Sequence, residues 1–370
     1  MLYNVDPAAH QLEELNSQNI MISMISGDRY QYTLFALGIM PYITSTLIVW
    51  LFMAIRGSEF RSRFSPRKTK RLTLILMISI ALAYAMSRAD GLIFKTTDIP
   101  EEALRAIAIL EMTIGAVIIH IMANSNKEHG IGGQTPVIFV NILDNLVSTI
   151  QKFSWEELTR PLILCLIMVV VILVMENRII RVPVQRVSIH NEYADKSYIA
   201  FKPDPIGVMP VMFAVTFFML PQLVLQFLIF LFEKNDALQY IYERLKMTDI
   251  VGAAVYLGII FTLNILFSFI MLSPGEMAEQ LQKGGDSIVG IYAGRKTKKY
   301  LRSKVLKLSI FSGCIMCFLM GISLGLSLNG EISSELALFP ATGMILTGVS
   351  CTICREVKTY WIFDSYSFFV

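Results

Sequence analysis

The 370-residue chain carries 32 lysines and arginines against 29 aspartates and glutamates, and 54% of its residues are hydrophobic while only 16% are charged. A soluble domain carries nearer a quarter charged residues, so this balance, with a mean hydropathy of +0.58, excludes an ordinary soluble enzyme and points to a polytopic all-α membrane protein. No basic start with a short apolar core and a small-residue cleavage site is present, so no cleavable signal peptide is expected.

Residues 1–31 hold Asp6, Glu13, Glu14 and Asp28 against Arg29 and read as a polar segment outside the membrane. Apolar runs long enough to cross a bilayer follow near 33–55, 72–88, 103–123, 134–150, 161–175, 207–232, 250–272, 305–328 and 335–353, which makes about nine spans. The first contains Gly38-Ile39-Met40-Pro41-Tyr42 and the sixth contains Gly207-Val208-Met209-Pro210-Val211. Glycine and proline inside a membrane helix are tolerated where the freed backbone faces protein or a cavity. Two interrupted helices that line something, one in each of two halves built on one plan, are therefore expected.

Lysine and arginine in the short loops set the orientation. The loop after the first span holds Arg56, Arg61, Arg63, Arg67, Lys68, Lys70 and Arg71 against Glu59 and is expected to be cytoplasmic. The same holds for the loop with Arg178, Arg181, Arg186, Lys196 and Lys202, and for the loop with Lys283, Arg295, Lys296, Lys298, Lys299, Arg302, Lys304 and Lys307. The intervening loops are acidic or mixed, and the C-terminus falls on the cytoplasmic side. With the motif in the first and sixth spans, the repeat unit is five helices. The half beginning near Arg160 has five spans, and the half before it has four. One further helix is expected upstream of Met1; the alternative is a nine-helix chain whose N-terminal segment crosses unaided.

Ionisable groups inside spans are expensive and suggest function. Glu111 and His120 share a helix, but nine residues apart they stand on opposite faces. Asn141, Asp144, Asn145 and Ser148 share a face, which suits an ion-coupling site, the wet lining of a channel, or interhelical hydrogen bonding. Cys314 with Cys317, and Cys351 with Cys354, form Cys-x2-Cys pairs. Both pairs lie in apolar helices, where cysteine packs as a small residue, and Cys165 reads the same way. No metal site and no cofactor are expected. Gly290 and Gly294 have three residues between them and are followed by Arg295, which is not a phosphate-binding loop; no enzymatic activity is expected.

Phe35 to Ile43 resembles the second helix of SecY, the channel subunit of the bacterial protein translocase. Gly130-Ile131-Gly132-Gly133 is similar to the glycine-rich entry to the fifth helix, Arg181-Val182-Pro183-Val184-Gln185 to the start of the loop between helices six and seven, and Gly207 to Pro210 to the seventh helix. Glu276 to Gly285 is similar to the loop between helices eight and nine. The resemblance implies a SecY-like clamshell of two pseudo-symmetric helical halves: an external segment with a plug helix at 1–31, an N-terminal half at 32–155, a C-terminal half at 156–353 and a cytoplasmic tail at 354–370. It implies an apolar pore ring at Ile39, Ile43, Phe139, Met212 and Leu346, a plug over about Ala9 to Arg29, and a lateral gate between the helices of Pro41 and Pro210. A narrow ring of dry side chains disfavours water and ions yet deforms around a passing chain.

The resemblance further implies that unfolded secretory proteins pass through the pore and that the loops carrying Arg178, Arg181, Arg186, Arg295, Lys296, Lys298 and Lys299 bind a SecA-type motor ATPase or the ribosome. Basic clusters also touch anionic lipid. SecE-like and SecG-like small membrane subunits are the expected neighbours. Where the family has Ile-Arg-Pro-Gly, this chain reads Ile291-Tyr292-Ala293-Gly294. That departure and the fifth helix at Thr135 to Asn141 make the chain more similar to the accessory SecY of Gram-positive cocci. That group implies export of serine-rich glycosylated adhesins with an accessory SecA and other accessory Sec proteins. The alternatives are a housekeeping SecY or an ion-coupled secondary transporter using Asp144 and Glu111.

Overall fold

The structure is a computed structural model and describes residues 2–3, 5, 33–56, 66–89, 92–95, 99–133, 135–185, 197–231, 236–245, 249–333 and 336–366. The expected plug helix and Arg186 lie outside the described residues. The chain divides into two compact units, one formed by Met1–Leu158 with Val349–Val370, the other by Thr159–Gly348.

The first unit holds α1 (Met40–Arg56), α2 (Pro66–Ala89), α3 (Glu101–His129) and α4 (Thr135–Lys152). Helix α3 is well specified at its ends: Glu101 and Glu102 sit in the first turn and Lys127 and His129 in the last, charges that complement the helix dipole. The three helices α1 to α3 pack on one another. Gly115 lets α3 approach the turn ahead of α1, since the Leu34 carbonyl occupies the space a Cβ would need. Arg88, at the end of α2, donates to the Ala36 carbonyl in the same turn at 3.0 Å. The first residues are tied down as well. Val5 pairs with Phe94, and the Tyr3 N–H donates to Glu111 at 2.9 Å.

Helix α5 (Trp155–Asn177) runs from the first unit into the second, which continues with strand β1 (Ile180–Gln185), β2 (Tyr198–Phe201), α6 (Met209–Leu231), α7 (Asp236–Arg244), α8 (Ile250–Leu272), α9 (Pro274–Lys283), β3 (Ser287–Ile288) and α10 (Arg295–Leu328). A 3-10 turn, Leu336–Leu338, leads into α11 (Phe339–Tyr366), which ends in the first unit. Helix α8 packs against both α6 and α10. Asn264 of α8 fixes its register against α10 by donating to the Ser309 carbonyl and to the Ser312 hydroxyl, each at 2.8 Å.

Each of the nine apolar segments coincides with a helix, and among the described residues six helices are long and apolar enough to cross a membrane: those over Arg67–Ala89, Glu101–Lys127, Trp155–Asn177, Ile250–Lys283, Arg295–Leu328 and Leu336–Phe363. The other three differ for separate reasons. Helix α1 has only 17 residues. Helix α4 interrupts its apolar positions with Asn141, Asp144 and Asn145. Helix α6 is 23 residues long and carries Pro221 inside it.

A second difference concerns the repeated motif. Instead of interrupting a helix, each copy starts one, at Met40 and at Met209. Gly38 has φ 53° and Gly207 φ 72°, a left-handed conformation that an α-helix cannot continue and that glycine adopts without a Cβ penalty. The proline then falls in the first turn, where its missing N–H would have had no helical partner anyway.

Candidate functional site

The two motif copies have the same local geometry. At the first, the N–H groups of Tyr42 and Ile43 both donate to the Ile39 carbonyl, each at 3.1 Å; at the second, the N–H groups of Val211 and Met212 donate to the Val208 carbonyl at 3.1 and 3.3 Å. Ile39 thus corresponds to Val208 and Ile43 to Met212. Ile39, Pro41 and Ile43 are buried in the first unit, and Pro210 and Met212 in the second. Phe139, in the first turns of α4, and Leu346, in α11, are half-buried. The first unit therefore brings Ile39 and Ile43 together on one turn of helix. In the second unit, Val208 fills the space where a Cβ on Gly348 would stand, so α11 lies directly against the turn that starts α6.

The ionisable candidates are engaged separately. Glu111 accepts from Tyr3, whereas the His120 ring lies 4.6 Å from that of Tyr42 on α1. On α4, Asn145 and Ser148 are buried and Asn141 and Asp144 half-buried. Cys165 and Cys317 pack as small residues, the Cys165 sulfur abutting Gly343 and the Cys317 thiol donating to the Leu257 carbonyl at 3.4 Å, whereas Cys314 and Cys354 are exposed.

The two basic loops form one small folded body. Strand β1 pairs antiparallel with β2, Ile180 opposite Phe201, and with β3, Val184 opposite Ile288. Beneath the sheet, Val182, Phe201, Ala278, Ile288, Leu301, Val305 and Leu308 make one apolar core from both loops and the first turns of α10. Alternation in Ile180 to Gln185, with Val182 and Val184 buried between exposed Arg181 and Gln185, is the signal of a half-buried strand. Sequence reading passed over it. Arg178 and Arg181 are exposed, and the Arg181 guanidinium lies 4.8 Å above the Tyr198 ring.

Arg295, Lys296, Lys298 and Lys299 stand exposed on the first turns of α10, with no acidic residue in that turn. Four cations at a helix N-terminus oppose the dipole, so helix stability does not explain their position. Tyr292, 79% exposed, is the most prominent side chain beside them. Its ring carries the Lys296 ammonium at 5.0 Å, and its carbonyl accepts from the buried Thr297 hydroxyl at 3.0 Å.

One further cluster escaped the sequence reading. Glu176, buried at the end of α5, pairs with Lys202 at 2.9 Å, and its other carboxyl oxygen occupies the space that a Cβ on Gly207 would need. Asp204, 1% exposed, lies between Lys202 and Gly207 in sequence and has no partner in hydrogen-bonding geometry for either oxygen. Burial, and then the neighbouring Glu176 charge, push its pKa up to about 7. The hint in sequence is Lys202-Pro-Asp204-Pro, two charges set directly ahead of an apolar run.

The family model for SecY matches residues 33–353. Among curated relatives, the accessory Sec system protein translocase subunit SecY2 of Streptococcus parasanguinis is 27% identical over 88% of this chain and 81% of its own length. The protein of the same name from Streptococcus agalactiae serotype Ia is 26% identical over 97% and 88%. That from Leuconostoc gelidum subsp. gasicomitatum is 25% identical over 97% and 90%. A solved structure described as a protein conducting channel superposes with a TM-score of 0.63 at 16% identity, covering 96% of this chain and 87% of that one. A SecY structure concerned with the plug domain superposes with a TM-score of 0.58 at 17% identity, covering 89% and 83%.

Proposed function

The chain belongs to the SecY family, and on that basis we propose that it is the channel subunit of an accessory Sec translocase, passing unfolded polypeptides across the cytoplasmic membrane. The observation that carries this reading is the pair of matching helix starts. One turn after a left-handed glycine, each half presents a buried apolar side chain, Ile43 or Met212, at the equivalent place. Two equivalent helices offering dry side chains suit a constriction that deforms around a chain while excluding ions. Ile39, Ile43, Phe139, Met212 and Leu346 form the ring in this reading, and the helices of Pro41 and Pro210 are the two sides of the lateral gate. Residues 9–29 are the plug, and the N-terminal and C-terminal halves open as the two shells.

The channel itself uses no ATP. A SecA-type motor, in this reading the accessory one, docks on the body that joins Arg178, Arg181, Arg295, Lys296, Lys298 and Lys299, which places that body and the C-terminus in the cytoplasm. A SecE-like and a SecG-like small membrane subunit complete the complex, with other accessory Sec proteins. The names of the curated relatives support the accessory subtype, as does Tyr292 where the family carries arginine. Serine-rich glycosylated adhesins are the corresponding substrates.

The test is reconstitution of the full chain in vesicles with the motor and an unfolded preprotein, read as protection of the preprotein from protease. ATP-dependent protection is the expected result. Uptake of a small solute that Asp144→Asn abolishes, with no preprotein protected, would overturn the reading in favour of an ion-coupled transporter.

A further inference from the structure

Asp204 sits where a negative charge has little to hold it. It is 1% exposed, and the group facing it from α5 is the carboxylate of Glu176, whose own charge is already matched by Lys202 at 2.9 Å. From α10 it meets only a hydroxyl, that of Ser312, and from its own turn the N–H groups of Ile206 and Gly207. The two N–H groups favour an ionised carboxyl but do not satisfy it, since both oxygens remain unpartnered.

The state of Ser312 explains why. Its proton is directed at the Ser309 carbonyl, 3.3 Å away, and its oxygen accepts the Asn264 amide at 2.8 Å. A hydroxyl has one proton and two lone pairs. Ser312 has thus spent its proton and has one lone pair left for a donor. An ionised carboxylate can only accept, whereas a protonated one donates, so a proton on Asp204 links the turn ahead of α6 through Ser312 to Asn264 in α8. Buried polar groups left without partners are costly, and a completed network avoids that cost.

We propose that Asp204 is a proton-binding site at the root of α6, neutral when it donates to Ser312, and that loss of this proton sets its charge against Glu176 and loosens the Gly207 turn from which α6 starts. The proton site stands on the geometry of the second unit alone; any effect on transport rests on the channel reading above, so the experiment avoids transport. Infrared titration of the full chain in lipid, from about pH 5 to about pH 9, follows the carbonyl stretch of protonated carboxylic acids. A band that disappears near neutral pH, is missing in Asp204→Asn, and moves to lower pH in Glu176→Gln is expected, because removing a neighbouring negative charge makes Asp204 easier to ionise.

The second readout is alkylation of a cysteine placed at Ile206, followed at peptide level so that the native cysteines stay in place. The ratio of its rate to that of the same reporter in the Asp204→Asn background cancels the ionisation of the thiol itself. It should be near one at about pH 6 and rise about fivefold by about pH 8. The proposal is overturned if no band in this range responds to Asp204→Asn, if Glu176→Gln leaves the midpoint in place, or if the labelling ratio stays flat.

Discussion

Replacing Gly207 by alanine tests the root of α6 against its counterpart at Gly38. Both glycines are left-handed, with φ 72° and 53°, and an alanine Cβ in that conformation costs roughly 1–2 kcal/mol. At Gly207 the new Cβ also collides with a carboxyl oxygen of Glu176. Glu176 then has to move away from Lys202, whose side chain is 37% exposed while its own is 7% exposed. Breaking a buried pair outright costs roughly 3–5 kcal/mol. A displaced and half-wetted pair loses less than half of that, so Gly207→Ala should cost about 3 kcal/mol in all. Gly38→Ala carries the same backbone share of about 1 kcal/mol. The assay is equilibrium unfolding of the full chain in detergent micelles, followed by tryptophan fluorescence. In a double-mutant cycle with Glu176→Gln, Gly207→Ala should show a coupling of about 1 kcal/mol or more. A coupling near zero would refute this account of what Gly207 does.

The buried Asp204 makes stability depend on pH. Its native pKa lies at about 7 against 3.8 unperturbed, so between those values the folded state keeps a proton that the unfolded state has released. Stability should therefore fall as pH rises from about 4 to about 7 and level off above, a loss on the order of 4 kcal/mol from about three pKa steps. Asp204→Asn should remove that slope in the same unfolding assay. Asn264→Ala should destabilise by about 2 kcal/mol through the loss of two buried hydrogen bonds, whereas Thr262→Ala, exposed on the same helix, should change little. In the proposed ring, Met212→Asn should raise ion leakage across planar bilayers by wetting the apolar lining. Reversing Arg295, Lys296, Lys298 and Lys299 together to glutamate should weaken motor binding about tenfold at low salt, and the difference should shrink as salt is raised.

Much of the fold was legible because a membrane chain writes its helices in hydropathy. Every apolar run found a helix, and the two Gly-x-Met-Pro copies marked the two that correspond. Ends were less legible, since hydropathy reports where lipid lies and backbone hydrogen bonding does not stop there. Helix α10 begins at Arg295, well ahead of the apolar run read from 305. Its charged first turns pack Leu301 and Val305 into the core under the sheet. The sheet itself joins Val184 to Ile288 across four described helices of intervening chain, and no local pattern encodes that pairing. Asp204 was missed for a related reason. A lone aspartate between prolines in a basic loop looks solvated, and only the packing of α5 and α10 around it removes the water. The proline of the motif was read as a break because proline ends helices; the left-handed glycine before it makes it the first turn instead.

The three-stranded sheet has a mechanical consequence. Strand β1 starts at Ile180, just beyond the end of α5 at Asn177, and β2 ends at Phe201, a short turn before α6 starts at Met209. The same sheet is clamped through β3 and the shared apolar core to the basic end of α10. A partner that pulls on Arg295 or Lys296 therefore has almost no slack to take up before the load reaches the roots of two long helices. The loops act as a short stiff lever with its fulcrum in Val182 and Ile288. Work done by a motor outside the membrane would arrive at Gly207 as displacement, with little of it lost to bending on the way.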